Sequence, residues 1–252
     1  MIYSGGPLEA EIPDIDLVGF TFEKVEELGE KPALIDGQSG RAVGYAELLR
    51  LVLSFAAGLT MRGFKRGDTL AIFMPNVPEY AVAFYGSVAA GGRCTTVNPL
   101  CTARELAFQL TDSGARAFLT VPAFIDVARE VSRTAGCELF VLGDADGAAP
   151  FAELLSDPNA APHVEIDAAT DIAALPYSSG TTGLPKGVML SHRNLIANAL
   201  QMNAALRVSG DEVMIVVLPL FHIYGLSVIM GLGLWSGATL VTMPSVRTLP
   251  VP

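Results

Sequence analysis

Between residues 68 and 143 the sequence alternates short β-branched or apolar runs with segments of helical period, and this alternation restricts the chain to few folds. "DTLAIFM" reads as a buried strand. "VPEYAVAFYGSVAAGG" reads as a helix with Pro78 in its first turn, where a missing N–H leaves no helix bond unmade. "RCTTVNP" is the next strand. "TARELAFQLTDSG" opens with Thr102 and Glu105 at capping-box spacing and closes on Gly114. "RAFLT", "PAFIDVARE" and "ELFVLG" continue as strand, helix, strand. A strand that returns through a helix lies parallel to the one before it. The units therefore predict an α/β fold of mostly parallel β-sheets flanked by helices.

The flanking segments extend the pattern. "TFEKVEELG" predicts a helix ended by Gly29, and "PALIDGQSGRAVGY" a hairpin turning at Asp36–Gly40. In "YAELLRLVLSFAAGLTMRG", Leu48, Leu49, Val52, Phe55, Ala56 and Leu59 fall on one helical face, and Gly63 stops the helix. Residues 143–170 read as an irregular connection. "DIAALPY" is then a strand, "GVML" a second strand, and Ser191 the N-cap of the helix "HRNLIANALQMNAAL". "EVMIVVLPL" is a strand leading into "FHIYG", followed by a helix over roughly 226–235 and the strand "ATLVTM".

Hydrophobic residues make up 51% of the chain and charged residues 17%, which supports a sizeable core and argues against intrinsic disorder. A formal net charge of −10 argues against a nucleic-acid surface, but not against an anionic ligand held at a locally positive site. Cys94, Cys101 and Cys137 lack CxxC spacing and read as small core residues in a reducing cytosol. The opening "MIYSGGPLEAEIPDID" has no secretory pattern, so the expected location is cytoplasmic. Residues 213–235 are long enough to span a bilayer and carry no formal charge. Pro219 and His222 interrupt them, and two buried elements joined by a polar turn fit better. Met202, Met214 and Met230 read as core filler, and His192 as a solvated residue at a helix end.

The stretch "PYSSGTTGLPKGVMLSH", residues 176–192, carries the chemistry. Glycines let successive backbone N–H groups turn inward as an anion-binding nest. Ser178, Ser179, Thr181 and Thr182 add hydroxyl donors, Lys186 adds a positive charge, and Pro185 stiffens the chain just before it. The physical reading is a loop for a polyphosphate. It is neither a P-loop, because Gly180 and Gly183 are too close and Lys186 precedes Gly187, nor a dinucleotide fingerprint. Residues 1–170 read as a first α/β subdomain, and 171–252 as the phosphate-loop segment with the start of a second.

"YSSGTTGLPKGVMLSHRNL" resembles the signature of the adenylate-forming superfamily: acyl-CoA synthetases, luciferases and peptide-synthetase adenylation domains. Among these, the chain most resembles 4-coumarate:CoA ligases and fatty acyl-CoA ligases. "FTFEKVEELGEKPALID", "VGYAELL", "GFKRGDTLAIFMPNVPEYAVAFYGSVAAGGRCTTVNPLCTARELAFQL", "VLPLFHIYGL" and "SGATLVTMP" support the same likeness along nearly the whole chain. The resemblance implies part of the large N-terminal domain of an acyl-CoA synthetase, with ATP, Mg2+, CoA and a small-molecule carboxylate as partners. It implies that Ser178, Ser179, Gly180, Thr181, Thr182, Gly183 and Lys186 hold the β- and γ-phosphates. It places His222 beside the carboxylate and α-phosphate, with Tyr224 and Gly225 toward the rest of the acid. Ser227 and Val228 stand where coumarate ligases often carry Asn and Ser, which weakens any case for coumarate itself.

The family's later features do not occur in these 252 residues: a YGxTE segment for the adenine, a TGD aspartate for the ribose, and a mobile domain with a catalytic lysine. The tail "SVRTLPVP" departs from the family pattern. The expectation is an N-terminal portion that does not complete thioester formation alone. An apolar edge left by the missing half is expected to favour a homodimer. The competing readings are a non-catalytic binding or regulatory remnant that needs a partner chain, and a membrane transport component.

Overall fold

The computed structural model describes residues 11–178 and 185–244. Two helical turns, α1 (Leu17–Thr21) and α2 (Val25–Leu28), precede the hairpin β1 (Pro32–Asp36) and β2 (Ala42–Gly44). There follow α3 (Tyr45–Met61), β3 (Thr69–Phe73), α4 (Pro78–Ala89), β4 (Arg93–Thr96), α5 (Ala103–Asp112), β5 (Ala115–Thr120), α6 (Ile125–Ala135), β6 (Glu138–Val141) and the short β7 (Ala149–Pro150). The later part supplies β8 (Ile172–Ala174), β9 (Tyr177–Ser178), β10 (Lys186–Gly187), β11 (Leu190–Ser191), α7 (His192–Leu206), β12 (Val213–Val216), a π-wound helix Tyr224–Leu232 continuing into α8 (Gly233–Ser236), and β13 (Thr239–Thr242).

The main sheet has the order β11-β8-β4-β3-β5-β6-β7, parallel except for β11. Every residue of β3 is buried, as a strand covered on both faces requires. Its alternation sorts the core. Leu70 and Ile72 join one apolar cluster with Val52, Phe55 and Phe84, whereas Ala71 and Phe73 join another with Leu106, Leu110 and Val131. Thus α3 and α4 cover one face, and α5 and α6 the other. Each fully buried Phe or Leu here contributes about 1.5–3 kcal/mol. The α3–α4 contact is close because Gly86 has no Cβ; one added there would meet the Phe55 ring at 2.6 Å.

A second sheet, β12-β13-β1-β2, joins the two ends of the chain, with Leu34 in register with Leu240. Tyr45 donates its hydroxyl to Ala238 O at 2.6 Å, and Lys31 Nζ reaches the carbonyls of Gly210 and Gly237. Both sheets draw strands from either side of residue 170.

Several expectations need correction. "TFEKVEELG" is not one helix. Asp16 accepts from the N–H groups of Val18 and Gly19 and so starts α1 upstream, and the chain breaks before α2 while burying Phe20 and Phe22. "GVML" is not one strand. Gly187 pairs with β9 in a ribbon outside the main sheet, whereas Leu190 pairs with β8, so the chain changes partners across Val188 and Met189. The helix expected from 226 begins at Tyr224. His192 is not solvated: it is 1% exposed. Cys94 and Cys137 are buried, but Cys101 is only half-buried at a cleft, because the loop after β4 turns outward. Met230 is core, whereas Met202 and Met214 are half-buried. Among the described residues no helix is long and apolar enough to cross a membrane.

Candidate active site

The ribbon β9–β10 brings the two ends of the phosphate-loop motif together. Ser178 lies directly opposite Lys186, and Tyr177 opposite Gly187. Directly paired residues of an antiparallel ribbon project on one side, with Cβ atoms about 4.5–5.5 Å apart. A hydroxyl and a cation therefore stand together at the base of the loop. Ser179, Gly180, Thr181, Thr182 and Gly183 lie outside the described residues, as does the tail "SVRTLPVP".

The ribbon borders a cleft of about 620 Å³. Asn98, Glu105 and Gln109 form one wall, Ser178 and Pro185 another, and His222 a third. The cleft thus brings Ser178 and His222 together. Tyr224, 44% exposed, and the buried Gly225 are not among its lining residues; they open the π-wound helix. Gly225 has a packing reason to lack a side chain, since a Cβ there would lie 2.1 Å from Pro219 O.

Two residues that sequence reasoning passed over hold His222 in place. Buried Asn76 donates from Nδ2 to Val216 O at 2.9 Å and Leu218 O at 3.0 Å, and accepts from Leu220 N–H at 2.9 Å. Thr96 donates its hydroxyl to Phe221 O at 2.7 Å. The available signal was Asn76 itself, a polar residue inside the apolar block "IFMPNVPEY". His222 Nδ1 accepts from the Tyr224 N–H at 3.2 Å, which places the proton of the neutral ring on Nε2. The exposed ring therefore offers an N–H donor at the cleft.

On the opposite wall Gln109 is buried, and its Nε2 donates to Thr95 Oγ1 at 2.9 Å and Thr96 O at 3.1 Å. Glu105 caps α5, and the Thr102 backbone and hydroxyl hold its carboxyl below the usual range. Burial, then the Glu105 charge, push the Cys101 thiol up to about 11 against an opposing backbone hydrogen bond, so it is a thiol at neutral pH and no nucleophile. Among the described residues no three His, Cys, Asp or Glu side chains group to hold a metal ion.

The family model described as "AMP-binding enzyme" matches residues 21–252. The chain belongs to the AMP-binding enzymes. It is 42% identical over 245 residues to 4-coumarate–CoA ligase 5 of Oryza sativa subsp. japonica, covering 94% of the chain and 45% of that relative. It is 36% identical over 253 residues to 4-coumarate–CoA ligase 2 of Petroselinum crispum, covering 96% and 46%. Its fold matches a long-chain-fatty-acid-CoA ligase (FadD1) from Archaeoglobus fulgidus with a TM-score of 0.85 at 25% identity, covering 96% of the chain and 49% of that one. It also matches ATP-bound MatB from Rhodopseudomonas palustris with a TM-score of 0.80 at 30% identity, covering 92% and 46%. The chain spans about half the length of these relatives, over their N-terminal portion. The family and fold expected from the motif are the ones found.

Proposed function

We propose that this chain is the N-terminal portion of an ATP-dependent carboxylate–CoA ligase. The observation that carries the reading is that Ser178, paired with Lys186 at the root of the loop, shares one cleft with His222.

In the complete enzyme a carboxylate oxygen attacks the α-phosphorus of ATP. The bond to the bridging oxygen breaks, and pyrophosphate leaves with its electron pair. The CoA thiolate then attacks the acyl carbon, forming a thioester and releasing AMP. The loop's share is electrostatic: the hydroxyls of Ser178, Ser179, Thr181 and Thr182, the N–H groups at Gly180 and Gly183, and the Lys186 cation hold the leaving phosphates. His222 Nε2–H donates to the incoming carboxylate and fixes its line of approach. It is not a base, because a carboxylic acid is already ionised near neutral pH. Tyr224 and Gly225 would sit toward the remainder of the acid. Mg2+ needs no protein cage, since it commonly rides on substrate phosphates with one or two carboxylates.

Alone, the chain is expected to bind ATP or a polyphosphate only weakly and not to complete thioester formation. Calorimetry with ATP and inorganic tripolyphosphate, together with pyrophosphate-release and acyl-CoA assays over a carboxylate panel, tests this. Absence of any polyphosphate binding, or turnover matching a full-length relative, overturns it.

A second reading has one observation in its favour. β12 is the outer strand of its sheet among the described residues, and Val213 and Ile215 are 64% and 59% exposed. Such an edge suits a partner chain, or a homodimer formed through it, and a non-catalytic module acting in the cytosol would use the same surface. Mixing the chain with a C-terminal fragment separates the readings, because restored turnover favours the ligase.

A further inference from the structure

The β9–β10 ribbon is separate from the seven-stranded sheet, and its root is fixed by backbone bonds. Leu175 N–H donates to Cys94 O at 2.8 Å, and Val188 N–H donates to Pro176 O at 2.9 Å. These bonds hold the root of the ribbon and do not reach α5. A side-chain contact from β9 reaches beyond the root to α5. The Tyr177 hydroxyl donates to Asp112 Oδ2 at 2.5 Å, across 65 residues of sequence.

Three observations set this contact apart from an ordinary surface hydrogen bond. First, the Tyr177 ring lies along the facing strand at Gly187, where an added Cβ would come within 3.1 Å of ring carbons. The ring therefore braces both strands of the ribbon. Second, Asp112 is the last residue of α5, where the helix dipole disfavours a carboxylate. Third, α5 is itself held rigidly: Gln109, one turn earlier, is bonded to Thr95 and Thr96 of β4. Tyr177 and α5 both line the cleft. Burial, then the bond to Asp112, also push the Tyr177 phenol well above the ordinary tyrosine range, so it remains a donor at any physiological pH.

The geometry points to Tyr177 and Asp112 as a positioning pair that sets where Ser178 and Lys186 stand across the cleft from α5. Neither residue touches the reacting atoms in this scheme. The pair acts through the ribbon, and its consequence for phosphate binding rests on the ligase reading, whereas the restraint on the ribbon does not.

The test compares the 252-residue chain with its Tyr177→Phe, Asp112→Asn and doubly substituted forms. Tyr177→Phe keeps the ring against Gly187 and removes only the donor. Loss of a charge-assisted hydrogen bond should speed amide exchange at Tyr177, Ser178, Lys186, Gly187 and Val188 by about tenfold, with α7 and the main sheet within about twofold. Asp112→Asn, which keeps a neutral acceptor, should fall between the wild type and Tyr177→Phe. The double variant should exchange no faster than Tyr177→Phe, as expected for two ends of one interaction. Affinity for inorganic tripolyphosphate should fall about fivefold in Tyr177→Phe, part of the energy of the lost bond. Exchange in the ribbon that does not change, or that rises equally in every segment, overturns the positioning role. If the wild type binds no tripolyphosphate but the exchange pattern holds, the ligase reading fails and the brace stands.

Discussion

His192 accepts a hydrogen bond at Nδ1 from the backbone N–H of Leu17, 3.0 Å away and 175 residues earlier in the chain. The bond fastens α1 to the start of α7 and needs a neutral imidazole. Burial holds the ring's pKa below the usual histidine range, only partly opposed by the nearby Asp16 and Asp171 carboxylates. The unfolded chain therefore takes up the proton first. This contribution to stability is complete above the unfolded pKa of about 6.5 and is lost as pH falls toward the depressed folded value. The urea midpoint should drop as the solution is acidified below that point. His192→Ala should flatten this dependence and cost about 2–4 kcal/mol, through an orphaned N–H and a cavity. A variant with an unaltered pH profile would show that His192 is not the titrating group.

Asn76 shows how a residue outside the cleft can govern it. Its amide makes three hydrogen bonds to the turn before His222. Asn76→Ala should cost about 2–4 kcal/mol, since the buried Val216 carbonyl and Leu220 N–H lose their partner together. Asn76→Asp should be worse despite its nearly equal size, because an acceptor would then face the carbonyls of Val216 and Leu218. Chemical denaturation of the two variants gives the order, and Asp no worse than Ala would contradict the assignment.

Both variants touch the boundary between what sequence shows and what it hides. The helices α3, α4 and α5 were legible because their signals are local: apolar spacing, Pro78, and the Thr102–Glu105 box. Gly63, in the left-handed region at φ 81°, ends α3 as expected. Ser191 as the N-cap of α7 is equally local; its hydroxyl accepts from Asn194 N–H. The hidden features are set by distant partners. Nothing within a few residues of His192 announces Leu17. Nothing in "GVML" announces that Gly187 and Leu190 pair with different strands. In the site, Ser178 and His222 stood out by residue type and setting, whereas Asp112 reads locally as only a polar helix end.

Gly225 should be intolerant for steric reasons alone. A Cβ there would sit 2.1 Å from Pro219 O, a backbone atom that cannot turn aside. Gly225→Ala should destabilise by about 2–3 kcal/mol and displace the His222 turn. Gly40→Ala is the control: φ is 74°, nothing lies within 4 Å of the new atom, and only the conformational cost of about 1 kcal/mol remains. Thermal denaturation of the pair compares overlap with backbone strain, and equal losses would remove the packing account of Gly225.

The open edge of the smaller sheet makes the last prediction. Val213 and Ile215 alternate onto one face of β12, the outer strand among the described residues, and Val217 and Leu218 extend the exposed apolar strip. An outer strand flanked by exposed apolar side chains invites a second strand. The isolated chain should associate with rising concentration, read by light scattering. Val213→Lys with Ile215→Lys should suppress association, because two like charges on each edge would meet their counterparts in a symmetric pair. Folding stability should change by only about 0.5 kcal/mol per site, since both side chains already face solvent. A wild-type chain that stays monomeric over the whole concentration range would rule out this edge as an association surface.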